Sequence, residues 1–292
     1  MTGRAAGKTA AMILAALLAA LNVAAYRQVR AMTRFEGASR PVNRKTPADF
    51  GLAFETVGFP GLRAMPIEAW LVRGKGLGPV LVFHGYHDAK SSMLPTAAGL
   101  HSLGFDVLLV DFNGSGGSAG DETSIGYWEA EGVAAAAKWS AARFPGRTPI
   151  LYGTSMGAAA VLKAVGQGGV PAAKIVVEAP FDRMVTAVGR RLSGRHLPAW
   201  PLASLLVGWG SYLQGFDGFR HDPVEYARGV KAPSLLLYGD LDENIRPAET
   251  DEIFRNLAGP RTLHVFRGVA HRHFADERPD EWREAVKAFM LN

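Results

Sequence analysis

Eight short apolar runs punctuate the chain: FETVGF (54–59), IEAWLV (67–72), PVLVFHG (79–85), FDVLLVDF (105–112), TPILYGTS (148–155), KIVVEAP (174–180), PSLLLYGD (233–240) and TLHVFRG (262–268). Several are unbroken and rich in Val, Leu and Ile, as expected of parallel strands covered on both faces. The stretches between them predict helices over 91–102, 126–143 and 156–165, with another closing the chain over 279–291. Such alternation predicts a doubly wound, mostly parallel α/β sheet. The first two runs are joined too closely for a crossover helix, so they predict an antiparallel lead-in.

One segment departs from the alternation. Residues 181–228 are too long for a single crossover helix, and LPAWPLASLLVGWGSYLQGF (197–216) is apolar, with aromatics and glycines. It is expected to form a small helical cap inserted over the strand ends, the alternative being an ordinary crossover helix with a longer loop. Ligands of such sheets bind outside the carboxyl ends of the strands, which makes the residues just after each run the ones that matter for chemistry.

Ahead of the sheet pattern lies AAMILAALLAALNVAAY (10–26), free of charge and preceded by Arg4 and Lys8. It is somewhat shorter than the ~20 residues that span a bilayer comfortably. Residues 1–32 are therefore expected to be a single-pass signal anchor in the cell membrane. The alternatives are a secretory signal cleaved near Val23-Ala24-Ala25, releasing a secreted or periplasmic body, and a buried soluble helix. Residues 33–49, basic and polar with two prolines, read as a linker, and 50–292 as one globular body. The net charge of +5 would suit nucleic acid, but residues 1–45 alone carry eight basic side chains against Glu36. The body is left slightly acidic, which removes the support for a nucleic-acid partner. Cys is absent, so disulfides, thiolate metal sites and a cysteine nucleophile are excluded.

The fifth run ends in Gly153-Thr154-Ser155-Met156-Gly157, between a strand and a small-residue helix. A serine on so sharp a turn needs neighbours without side chains, and it gains a hydroxyl exposed over a helix N-terminus whose N–H groups favour an oxyanion. Ser155 is thus the expected nucleophile rather than part of a structural turn. A hydroxyl needs a base, and His271, in the loop after the last run, is preferred to His273, which reads as a packing or surface residue at the start of the final helix. The imidazole needs a carboxylate to orient it. Asp242 lies far enough into its loop to turn toward the histidine, whereas Asp240 is suited to holding the turn. The backbone N–H of Tyr86, after the third run, is expected to form an oxyanion site with that of Met156, while His84 serves the loop carbonyls. DFNGSGGSAG (111–120) lacks the Lys-Ser/Thr of a phosphate loop and reads as a tight loop near the site.

The chain order Ser155, Asp242, His271, with His84-Gly85-Tyr86, the 111–118 loop and Gly153 to Gly157, resembles the serine hydrolases of the α/β-hydrolase superfamily. Within it the chain resembles membrane-anchored bacterial hydrolases of the BEM46-like and peptidase S9-like groups, over about residues 50–291. Many relatives carry Arg where this chain has Asn113. The resemblance implies an α/β-hydrolase fold and a serine hydrolase acting on a small-molecule carboxylic ester or thioester. The apolar cap and anchor add the expectation of an apolar acyl group. This chemistry needs no metal or organic cofactor. Peptide or amide hydrolysis on the same triad is the enzymatic alternative, and a non-catalytic membrane-tethered binding module the other. Epoxide and haloalkane hydrolysis are disfavoured because they use Asp where Ser155 stands. A metal site from His84, His87, His271 and His273 lacks carboxylates at matching positions.

Overall fold

The computed structural model describes residues 2–292. Its centre is one eight-stranded sheet: β1 (Phe54–Pro60), β2 (Pro66–Val72), β3 (Pro79–Phe83), β4 (Asp106–Val110), β5 (Ile150–Thr154), β6 (Lys174–Glu178), β7 (Ser234–Gly239) and β8 (Arg261–Phe266). The order is β1-β2-β4-β3-β5-β6-β7-β8. β1 and β2 form an antiparallel hairpin, β2 meets β4 antiparallel, and every other pairing is parallel. The fold is the α/β-hydrolase architecture that the sequence implies, and each of the eight runs forms a strand.

Successive residues of one strand enter opposite cores, as the two-residue period of a strand requires. Leu81, Phe83, Leu108, Val110, Leu151 and Val177 pack on the face covered by α3 (Glu129–Arg143) and α4 (Met156–Gly166). Val80, Val82, Val107, Leu109, Tyr152 and Val176 pack on the opposite face against α2 (Leu94–Ser102) and α10 (Pro279–Met290). Two buried faces explain why these strands read as unbroken apolar runs.

The helices follow the sequence with two differences at their starts and two omissions, the smaller being the single turn α9 (Phe274–Glu277). The stretch expected to be helical from residue 91 opens as a 3-10 turn over Lys90–Met93, and α2 begins at Leu94 with proline in its first turn. The helix expected from residue 126 begins at Glu129, because Ile125 and Gly126 take positive φ (57° and 105°). The Glu129 carboxylate instead accepts from the N–H groups of Ser124 and Gly126 (3.0 and 2.9 Å). A helix over Pro247–Asn256, α8 in chain order, has no counterpart in the sequence reading. It is polar and buries only Glu249, Thr250 and Ile253, too thin a stripe to stand out.

Between β6 and β7 lie α5 (Met184–Ser193), α6 (Leu202–Gln214) and the short α7 (Pro223–Tyr226), within the segment expected to be a cap. The N-terminal helix α1 spans Thr2–Thr33. An 18-residue window within its Gly7–Thr33 portion has mean hydropathy 1.9, and the helix is long and apolar enough to cross a membrane, which suits an anchor or a signal sequence. Its last turns do not stand free: Ala25 and Val29 are buried, Tyr26 meets Trp209 of α6 edge to face at 5.3 Å, and Val29 lies against Gly210.

The segment that reads as a linker lies along the body. Phe35 is buried, and its N–H donates to the Asp121 carbonyl (2.6 Å). The Arg40 guanidinium donates to the carbonyls of Ser115, Gly116, Ser118 and Gly120. Asn43 donates to Asp111 (2.8 Å) and accepts from the Ser91 N–H (3.1 Å). Most of these partners are main-chain atoms, which leave no trace in a composition.

Candidate active site

β5 ends at Thr154 and α4 begins at Met156, so Ser155 alone makes the turn, with φ 52° and ψ −111°. A non-glycine residue there is strained and persists only where its surroundings enforce it. The flanking glycines let those surroundings close in. A Cβ on Gly153 would meet Gly157 O at 2.4 Å, and one on Gly157 would meet Phe83 O at 2.5 Å and His84 O at 2.7 Å. All three obstacles are backbone, so β3, β5 and α4 meet at a distance only glycine permits.

The loop after β8 brings His271 over this turn. Its Nε2 is 3.1 Å from Ser155 Oγ and its Nδ1 is 2.7 Å from Asp242 Oδ2. A carboxylate only accepts, so Nδ1 carries the proton and Nε2 is left to accept from the serine. Asp242 has no exposed side-chain surface, and its Oδ1 accepts from the N–H groups of Asn244 (2.8 Å) and Ile245 (2.9 Å). Asp240 accepts from the Gly268 N–H (2.6 Å) and so ties the two loops together, away from the imidazole.

Tyr86 follows β3, in the loop that passes the serine: a Cβ on Gly85 would lie 3.7 Å from Ser155 Cβ. Among the described residues the Tyr86 N–H donates to nothing, and that of Met156 is one of the donors a helix N-terminus leaves unused. The Tyr86 hydroxyl donates to Met32 O (2.8 Å), so this loop is bonded to the end of α1. His84 is fully buried: its Nε2 accepts from the Phe112 N–H (3.2 Å), which leaves Nδ1–H to donate to Gly85 O (2.8 Å). Asn113 closes its loop through Ala119 O (3.1 Å). Among the described residues no three His, Asp or Glu side chains group closely enough to hold a metal ion.

Several residues around the site have no chemical role in the sequence reading, His273 among them, which reads there as a packing or surface residue. His273 lies 3.4 Å from Asp88. Burial alone would lower the His273 pKa and raise that of Asp88, but their mutual hydrogen bond outweighs it and shifts both toward the charged form. Glu178, at the end of β6, accepts from the Tyr152 hydroxyl and from the Phe274 N–H (3.3 Å), and burial pushes its carboxyl above the usual range. Its detectable signal was a lone acid closing an apolar strand. The cavity at Ser155, about 300 Å³, is lined by Gly85, Tyr86, Ala179, Arg191, His271 and His273, with Asp88, Arg272, Asp276 and Glu277 also on its wall. A separate apolar cavity of about 50 Å³ lies beneath the cap, walled by Val29, Met32, Ile125, Met184 and Val207.

Known proteins align with this architecture. An esterase of Pyrococcus furiosus, Pf2001, superposes with a TM-score of 0.71 at 23% identity, covering 86% of this chain and 95% of that one. An esterase from Exiguobacterium antarcticum superposes with a TM-score of 0.62 at 18% identity, covering 82% of this chain and 100% of that one. Both likenesses are of fold. In sequence, an uncharacterised protein of Mycobacterium tuberculosis is 29% identical over 200 residues, 67% of this chain and 64% of the relative. Human ABHD12B is 31% identical over 180 residues, 57% of this chain and 46% of that protein. The chain thus spans less than two thirds of the length of these relatives. Residues 75–223, just over half of the chain, match the family described as serine aminopeptidase, S33, and they include β3, β5, the Ser155 turn and the first two cap helices. By that match the chain belongs to the S33 serine aminopeptidase family, and with it to the hydrolases of the α/β-hydrolase superfamily.

Proposed function

We propose that the chain is a membrane-anchored serine hydrolase that cleaves carboxylic esters or thioesters through a covalent acyl-enzyme. The observation that carries this reading is the unbroken relay from Asp242 Oδ2 to His271 Nδ1 (2.7 Å) and from Nε2 to Ser155 Oγ (3.1 Å), with Ser155 in strained backbone beside free N–H donors. Ser155 attacks the carbonyl carbon as His271 takes its proton. The N–H groups of Tyr86 and Met156 stabilise the oxyanion, and His271 returns the proton to the departing alcohol or thiol. Water, deprotonated by His271, then releases the acid. The reading of α1 as a retained anchor draws support from the burial of Ala25 and Val29, on either side of Tyr26, against the body. An apolar acyl group draws its support from the apolar cap helix α6 and from the apolar α1, not from the polar wall around Ser155.

The test is steady-state and burst kinetics with p-nitrophenyl esters of increasing chain length on the full chain in a neutral detergent. Wild type is expected to turn over with a burst. Ser155→Ala and His271→Ala are expected to lose at least about 10³-fold in kcat, and equal rates in all three would refute the scheme. Amide hydrolysis on the same groups is a second reading, favoured by the match to a family described as aminopeptidases. Faster turnover of aminoacyl p-nitroanilides than of esters would select it.

A further inference from the structure

We infer that Arg191 makes the Ser155 cavity an anion-recognition site, so that the ester it accepts carries a carboxylate or phosphate group within reach of the reacting carbonyl. The inference rests on the ester-hydrolase reading above. Arg191 lies in the last turn of α5, the first cap helix, and lines the same cavity as Ser155, Tyr86 and His271. Its neighbouring arginines are neutralised from α8 and from their own loop. Arg190 pairs with Glu249, and Arg183 pairs with Asp182 (2.8 Å) and Glu252 (2.6 Å). Residue 191 is turned about 100° around the helix from residue 190, away from those carboxylates and toward the cavity. Among the described residues Arg191 makes no ion pair, and its hydrogen bond runs from Nη1 to Ala187 O of its own helix (3.1 Å).

A guanidinium cannot shed its charge at physiological pH, and keeping it partly buried without a counter-ion costs free energy. Burial depresses the Arg191 pKa, opposed only by the more distant fields of Tyr86 and Asp242. The acids on the cavity wall are engaged elsewhere or face solvent. Asp88 serves His273, and Asp276 and Glu277 are exposed. Arg272 is exposed on the same wall and is offset by the equally exposed Asp276 and Glu277, neither of which pairs with Arg191 among the described residues. The missing partner is an anion, and a planar fork of N–H donors fits carboxylate and phosphate in bidentate fashion.

Two arms test this on the full chain in a neutral detergent. In the first, Ser155→Ala protein is titrated with butyl hydrogen succinate against butyl methyl succinate, and with lysophosphatidic acid against monoacylglycerol of the same chain. The anionic member of at least one pair is expected to bind about tenfold or more tightly. That advantage should vanish in Ser155→Ala/Arg191→Met and partly return in Ser155→Ala/Arg191→Lys. Preference within the succinate pair alone identifies a carboxylate substrate, and within the lipid pair alone a phosphate. In the second arm, kcat/KM for mono-p-nitrophenyl succinate is divided by that for p-nitrophenyl butyrate. The ratio is expected to fall about tenfold in Arg191→Met, through KM, with an unchanged melting temperature, and to recover in part in Arg191→Lys. Equal binding of both members of both pairs overturns the inference, as does a ratio insensitive to residue 191, and either leaves ester hydrolysis standing. Turnover of neither ester removes the hydrolase reading, and the binding arm then decides the anion site by itself.

Discussion

Replacing Lys90 by methionine removes the one cation from a buried knot that joins the loops after β3 and β4. The Lys90 side chain is wholly inaccessible; its Nζ donates to Glu68 (2.7 Å) and, more closely still, to Asp111, and lies 4.2 Å from the centre of the Trp70 ring. Asp111, also inaccessible, accepts from the N–H groups of Lys90 (2.7 Å) and Gly117 (2.9 Å) and from the Asn43 amide (2.8 Å). Lys90→Met strands a buried carboxylate, which costs about 3–5 kcal/mol. The three remaining donors place the expected value near the lower end. At ~2.1 cal/mol/K per residue of unfolding entropy, that range is about 5–8 °C in melting temperature for this chain. Asp111→Asn should cost a similar amount by stranding the ammonium. The double variant, with no charge left to strand, should cost less than the sum of the two by about 2 kcal/mol. Urea unfolding of the four proteins, followed by near-UV circular dichroism, measures the coupling. Additive costs, or a Lys90→Met cost under about 1 kcal/mol, would refute the reasoning.

Two further outcomes are expected. Burial pulls the His221 imidazole down to about 4, in a pocket where it bonds Ile125 O (3.0 Å) and the Tyr226 hydroxyl (3.1 Å). The unfolded chain binds this proton below about pH 6.5 while the folded chain refuses it until about pH 4, so stability falls as pH drops through that window. Wild type should lose about 2 kcal/mol more than His221→Gln between pH 6.5 and 5, and parallel unfolding curves would contradict this. A chain begun at residue 21 keeps Val29 on α6 and the bond from the Tyr86 hydroxyl to Met32 O, and should hydrolyse p-nitrophenyl esters like the full chain. One begun at residue 45 loses both, along with Asn43, and should lose about tenfold or more in kcat; equal rates would show that α1 and its strap do not position the Tyr86 loop.

What was legible in the sequence followed from burial on two sides and from backbone constraint. Strands β3 to β7 cross a sheet with a core on each face, and their Val, Leu and Ile runs record it. Gly153 and Gly157 were legible because no other residue fits where β3 and α4 touch. Side chains that act through main-chain partners or through distant elements were not. Arg40 bonds four carbonyls about eighty positions away, and Lys90 finds its carboxylates on Glu68 within β2 and on Asp111 just after β4. Arg191 belongs to an ordinary-looking pair, Arg190-Arg191, until the fold supplies Glu249 to one member and the Ser155 cavity to the other. α8 escaped notice because a short polar helix with so few buried residues lacks the apolar period that marks the others.

The central claim is an activated Ser155, and an intact-mass measurement of the full chain after brief exposure to a fluorophosphonate tests it most directly. A single phosphonyl adduct, mapped by peptide sequencing to Ser155, lost in Ser155→Ala and slowed at least about 10³-fold in His271→Ala, is the predicted result. A folded wild-type protein that gains no adduct, or gains it equally in Ser155→Ala, would contradict the account.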